Sequence, residues 1–180
     1  MQLIETAANA LSGRYRDVLT AADGAVLWDR GVRKNTITSS CHSLLAGFVA
    51  GAPTTAVAIQ GLLVGQGLDA WDAGGPPPPT PAQTKMVDPN PFLVPRAALQ
   101  FTFLSGNVPS AQPTNRLQIV ATLGPNVPTW PDANHVSGNL REFGLVAQLN
   151  GAQALINYVT HPVIVKDPTI TLTRTIWLVF

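Results

Sequence analysis

The chain has 180 residues and a formal net charge of +1, from eleven Lys plus Arg against ten Asp plus Glu. Charged residues make up only 12%, about half the usual share, and no basic stripe appears, which excludes the electrostatic footprint of a nucleic-acid binder. The single cysteine, Cys41, excludes an internal disulfide.

The length sets one domain as the default. Residues 1–12 read as an N-terminal arm, with Leu3, Ala7 and Leu11 on a weak helical face. Glu5 and the short apolar run leave no room there for a signal h-region. Residues 14–20 alternate, Asp23-Gly24 is a hairpin turn signal, and residues 26–29 answer as a second strand. Residues 33–37 are polar. Thr38 or Ser39 is placed to cap a helix over 40–49, where Cys41, Leu44, Leu45 and Phe48 fall at helical spacing. Gly51 then stops it, and Pro53 follows. The apolar stretch from 44 to 64 is broken by Gly47, Gly51 and Pro53, so it does not read as a membrane span.

A buried strand is expected over 56–64. Residues 74–95 form a Pro-rich strap, in which Pro76, Pro77, Pro78 and Pro79 enforce an extended polyproline conformation. A ligand for an SH3-type groove is the weaker reading of that run. Strands resume at 98–104 and 116–123, separated by a loop. A longer loop over 124–139 carries Trp130 and His135, and its length marks it as functional or partner-bound. Strands over 140–146, 154–159 and 170–180 close the chain. In the last, Ile170, Leu172, Ile176, Leu178 and Phe180 share one parity, interrupted only by Arg174, and threonines 171, 173 and 175 take the other. Gly144, between Phe143 and Leu145, marks a bulge or a close backbone approach. Seven to nine short strands, one helix and many proline turns predict an all-β fold. It is an antiparallel β-sandwich with one short helix and long Pro-rich loops, a single domain over 13–180.

Catalytic constellations are not found. His42, His135 and His161 do not pair at metal-ligand spacing and read as ordinary polar residues. Gly65-Gln66-Gly67 lacks the third glycine of a dinucleotide fingerprint, and Gly-x-Ser-x-Gly is absent. Asp69 and Asp72 flank Trp71 in a turn. Arg141 and Glu142, adjacent on a strand, point to opposite faces and require different partners. Cys41 reads as a small buried residue. No enzyme, no catalytic residue, no metal and no cofactor are expected.

Three stretches carry a resemblance: residues 23–48, with Asp23-Gly24 and Trp28-Asp29; residues 63–72, with Val64-Gly65-Gln66-Gly67 before the proline run; and Arg141-Glu142-Phe143-Gly144-Leu145 with the Thr-rich final strand. Their order resembles small β-rich structural proteins of phage tails and phage-tail-like contractile particles, the baseplate, collar or fibre-attachment subunits. The resemblance implies a virion structural protein, made in the host cytoplasm. It would bind other copies of itself and other particle proteins through β-edge and arm contacts, with no nucleic acid and no membrane span. Trp71, Trp130, Arg141, Glu142, Phe180 and the proline run are the candidate contact residues. The alternative is a receptor- or glycan-binding sandwich at a particle tip, with Trp71 and Trp130 as exposed loop aromatics.

Overall fold

The computed structural model describes residues 11–51 and 57–180. The expected arm over 1–12 therefore lies almost wholly outside the described residues. The strands are β1 (Ser12–Thr20), β2 (Val26–Ile37), β3 (Val57–Gly65), β4 (Phe92–Pro95), β5 (Leu99–Ser105), β6 (Val108–Ser110), β7 (Arg116–Leu123), β8 (Asn139–Leu149), β9 (Ala152–Leu155), β10 (Asn157–Val165) and β11 (Thr171–Val179). Two helices, α1 (Ser39–Val49) and the single turn α2 (Trp71–Gly74), and a 3₁₀ turn at Arg96–Ala98 complete the description. The fold is all-β and sandwich-like, as the patterning predicted, with more strands than expected.

The strands follow one hydrogen-bonded path, β4-β3-β8-β10-β2-β1-β11-β7-β5-β6, with β9 added on β8. At its middle the path hangs on two residue pairs, Asn157 with Ile37 and Tyr158 with Thr36. There it folds over. The rings of Tyr15 on β1 and Phe143 on β8 meet edge to face at 5.1 Å, although their strands are not neighbours in the path. One core unites the inner faces of both halves, including Leu19, Ile119, Leu172 and Ile176 from one and Leu62, Val64, Leu145 and Val159 from the other.

Period-two patterning explains β11 directly. Leu172, Arg174, Ile176 and Leu178 are buried while the intervening residues are partly exposed. It lies between β1 and β7, in register over its whole length. Phe180 departs from the expectation. It is 44% exposed, past the end of the strand, where its amide donates to the Asn115 carbonyl (2.9 Å). In α1, Thr38 is the N-cap and its hydroxyl accepts from the Cys41 amide (3.4 Å). Gly51 takes the left-handed φ of +61° just after the helix.

Four differences from the sequence reading have local causes. β2 runs on through polar residues 33–37, because β1 pairs with it as far as Asn35 and β10 takes over at Thr36. β4 forms inside the strap because Phe92 to Pro95 find β3 as a ladder partner. β6 is likewise a short hairpin return within the loop after β5. The single strand expected over 154–159 is two, since β9 folds back on β8 and the chain then crosses Ile156 into β10.

Gly144 is a site of close approach. A Cβ there would lie 2.6 Å from the Asn157 carbonyl oxygen and 2.7 Å from Leu155 Cδ2. Only glycine lets β8 and the β9–β10 crossing come this near.

Candidate functional site

The sandwich carries three inward polar networks and one outward cleft. The first network is wholly enclosed. Arg174 on β11 faces the core and makes a bidentate pair with Asp17 on β1, at 2.7 and 2.8 Å. Both side chains have 0% exposure. The guanidinium also lies 3.6 Å above the Phe143 ring centroid and donates from Nη2 to His161 Nε2 (3.1 Å), while His161 Nδ1 donates to the Pro162 carbonyl (2.9 Å). Burial, reinforced by the Arg174 charge, pulls the His161 pKa down to about 3. Burial pushes the Asp17 carboxyl up, but the charge and hydrogen bonds of Arg174 carry it below its ordinary value.

The second network uses the adjacent charges of β8. Arg141 turns to one face, where Nε and Nη2 grip Asp72 at 2.7 and 2.6 Å, Nη2 reaches Asp69 at 2.9 Å, and Nη1 donates to the Gln66 carbonyl at 3.0 Å. This clamps the α2 turn onto the sheet and places Asp69 and Asp72 as ion-pair partners. Glu142 turns to the other face and accepts from the Val87 and Asp88 amides (3.0 and 2.6 Å) and from the Tyr158 hydroxyl. Burial, then this hydrogen bond, raises the Tyr158 pKa. The opposite-face reading of the pair holds, and both charges are buried in a central strand.

In the third network Asp88 and Asp132 flank His135, at 3.1 Å from Nε2 and 2.8 Å from Nδ1. Trp130 stacks on the imidazole with centroids 3.9 Å apart. The loop over 124–139 is thus fastened to its own chain, and Lys166 Nζ adds a bond to the Gly124 carbonyl (2.9 Å). Among the described residues no group of three or more His, Cys, Asp or Glu side chains could hold a metal ion.

These networks correct the candidate contact residues. Trp71, Trp130, Arg141 and Glu142 are buried within the chain's own fold, because each has an intrachain partner that excludes water. Trp71 packs beneath Gly67, where a Cβ would come within 2.4 Å of its ring. None of the four is an exposed contact, and the two tryptophans are not loop-tip aromatics. The proline run is outward but pinned to its own chain. The Pro77 carbonyl accepts from the Thr160 hydroxyl (2.8 Å) and the Pro81 carbonyl from the Ser39 amide (2.8 Å), so it straps β10 to the start of α1. Phe180 remains exposed. Cys41 is buried, and burial raises its thiol pKa to about 11.

The outward feature is a cleft of ≈ 580 Å³ on the outer face of β1, β11 and β7, closed at one side by the β5–β6 turn. Register aligns one lateral row across the sheet, Lys34 opposite Arg14, Arg14 opposite Trp177, Trp177 opposite Gln118, Gln118 opposite Thr102, and its middle three, Arg14, Trp177 and Gln118, line the cleft. The indole N–H of Trp177 donates to Gln118 Oε1 (2.9 Å). Arg116 borders the row, with Nη1 on the Gly106 carbonyl (2.5 Å). Among the described residues no carboxylate side chain lines the cleft. Sequence reasoning missed this site. Its signal was Trp177 on the outer face of the last strand, after Thr171, Thr173 and Thr175 at the preceding outward positions.

No protein-family model, curated protein or solved structure matches the chain.

Proposed function

We propose that the chain is a structural subunit of a phage or phage-tail-like particle, at a baseplate, collar or fibre-attachment position, assembling through its sheet margins. The reading draws on the sequence resemblance. The observation that carries it is that each unpaired sheet margin exposes apolar side chains. β4 and β6 are the two ends of the strand path, and β2 is paired on one side only over most of its length. Val26, Leu27 and Val32 on β2, Leu93 on β4 and Val108 on β6 are all exposed, between 43% and 67%. Unpaired margins bearing apolar side chains favour pairing with another chain.

The margins are short or interrupted, which limits indiscriminate pairing. β4 ends in Pro95, β6 has three residues, and a bulge at Arg30-Gly31 splits the outer side of β2. Such margins suit contacts fixed by a symmetric particle better than open-ended fibres.

Sedimentation velocity over a concentration series tests the proposal. The wild-type chain is expected to form a defined oligomer with rising concentration and to co-sediment with isolated particles of its host phage. Leu27→Lys, on the exposed margin, is expected to weaken the oligomer while leaving the circular dichroism spectrum unchanged. A strictly monomeric chain that is absent from particles overturns the reading.

A further inference from the structure

We propose that the outer-face cleft is a binding site for an acidic saccharide. This goes beyond the structural role and holds whether or not the chain assembles. The volume, ≈ 580 Å³, falls within the range of ligand sites, about 300–1,000 Å³. Its walls supply the three kinds of contact such a ligand requires. Arg14 and Arg116 are cations without a carboxylate partner among the described residues, so they are available to a sugar carboxylate through charge-assisted hydrogen bonds. Trp177 offers part of an indole face to the C–H face of a pyranose ring, and its orientation is fixed by the bond to Gln118. Gln118 and Asn107 add neutral amide groups that match hydroxyls.

Other ligands fit less well. A peptide adding as a strand needs unpaired backbone, but the floor of the cleft is the middle of a ladder in which β11 is bonded on both sides. Single-stranded nucleic acid needs a basic track with successive stacking platforms. Here one tryptophan is available, and the chain's net charge is only +1. A neutral glycan would leave two guanidiniums facing the ligand unused.

The cleft also differs in kind from the buried networks. In those networks Asp17 and Asp72 neutralise Arg174 and Arg141. Among the described residues Arg14 and Arg116 have no such carboxylate, and they lie on either side of the one tryptophan of the outer face.

The test is titration of the full chain with trigalacturonate and sialyllactose, followed through the Trp177 indole N–H resonance and by calorimetry. Maltotriose, a hexaglutamate peptide and oligothymidylate serve as neutral and competing anionic probes. Expected is saturable binding of at least one acidic saccharide that moves the Trp177 resonance and weakens with added salt. Maltotriose should bind roughly tenfold more weakly or worse, and Arg14→Gln and Arg116→Gln should each lose about tenfold in affinity. Arg116→Lys, which keeps the charge, should retain more affinity than Arg116→Gln. The proposal is overturned if no acidic saccharide moves the Trp177 resonance or if maltotriose binds as well. Tighter binding of the peptide or the oligonucleotide overturns it too, as do folded arginine variants that bind like wild type.

Discussion

At the residue scale the molecule is governed by charges it has enclosed. Arg174 sits where the parity of β11 calls for an apolar side chain, and Asp17 does the same on β1. Removing one partner leaves the other uncompensated in the core. Asp17→Asn is therefore expected to destabilise the fold by about 3–5 kcal/mol, measured by urea unfolding. The paired replacement Asp17→Leu with Arg174→Met should cost much less than Asp17→Asn, since no charge is then left buried alone. His161 makes the same enclosure pH-sensitive. Its folded pKa is near 3 against an ordinary 6.5, so the unfolded chain binds more protons throughout that window and stability falls as the pH drops through it. The expected slope approaches about 1.4 kcal/mol per pH unit. Melting temperatures between pH 7 and pH 5 check it, and His161→Gln should flatten the profile there. Carboxylates such as Asp17, held low by Arg174, add their own loss at more acid pH. Gly144 is the backbone counterpart. Gly144→Ala drives a methyl against the Asn157 carbonyl, and a loss of about 1–3 kcal/mol is expected from the overpacking, with Gly144→Val worse. A melting temperature unchanged in Gly144→Val would contradict this.

At the element scale β11 decides whether the sandwich closes. It is bonded to β1 along one side and β7 along the other, so it is a central strand of its own chain rather than one lent to a neighbour. A chain ending after Thr175 loses Ile176 and Leu178, both within 2% of full burial, a gross loss of about 3–6 kcal/mol in transfer free energy alone. That approaches a whole domain's margin of about 5–15 kcal/mol. The expected product is insoluble or unfolded, and a folded monomer by circular dichroism would contradict the central placement. Removing Phe180 alone should have little effect, because it is exposed. The strap works in the opposite sense. Its proline run, residues 76–81, is largely outward and acts through the Pro77 and Pro81 carbonyls, so Thr160→Val should loosen that run locally while shifting the global unfolding midpoint little. Hydrogen exchange at the Ser39 amide reads that loosening.

At the scale of the whole molecule, low charge and an enclosed ionic network have the same consequence. Of the scarce charged residues, Asp17, Asp88, Arg141, Glu142, Lys166 and Arg174 are buried, which leaves still fewer on the surface than the composition suggests. A surface so depleted in charge resists self-association poorly, which supports the assembly proposed above. No helix among the described residues is long and apolar enough to cross a membrane.

Local patterning made much of this legible. The period of two marked β1, β7 and β11 and told which face of each turns inward, because side-chain alternation is a property of the extended backbone itself; it did not do so for β5, which buries Leu104 on the other parity, or for β8, which is buried on both faces. Thr38, the helical spacing of Cys41 and Leu44, and Gly51 fixed α1, because capping and the left-handed stop act within one turn. Gly144 announced a close approach but not what approached it. Burial of the tryptophans, of Arg141 and of Glu142 was decided only in three dimensions. A Trp in a loop or a charge pair on a strand carries no local sign of the partner that will cover it, and Asp72, Tyr158 and Asp88 lie far off in sequence. The same holds for the cleft. Each of Arg14, Trp177 and Gln118 is an ordinary outward residue in its own strand, and it is the register of three strands, set by long-range pairing, that lines them up.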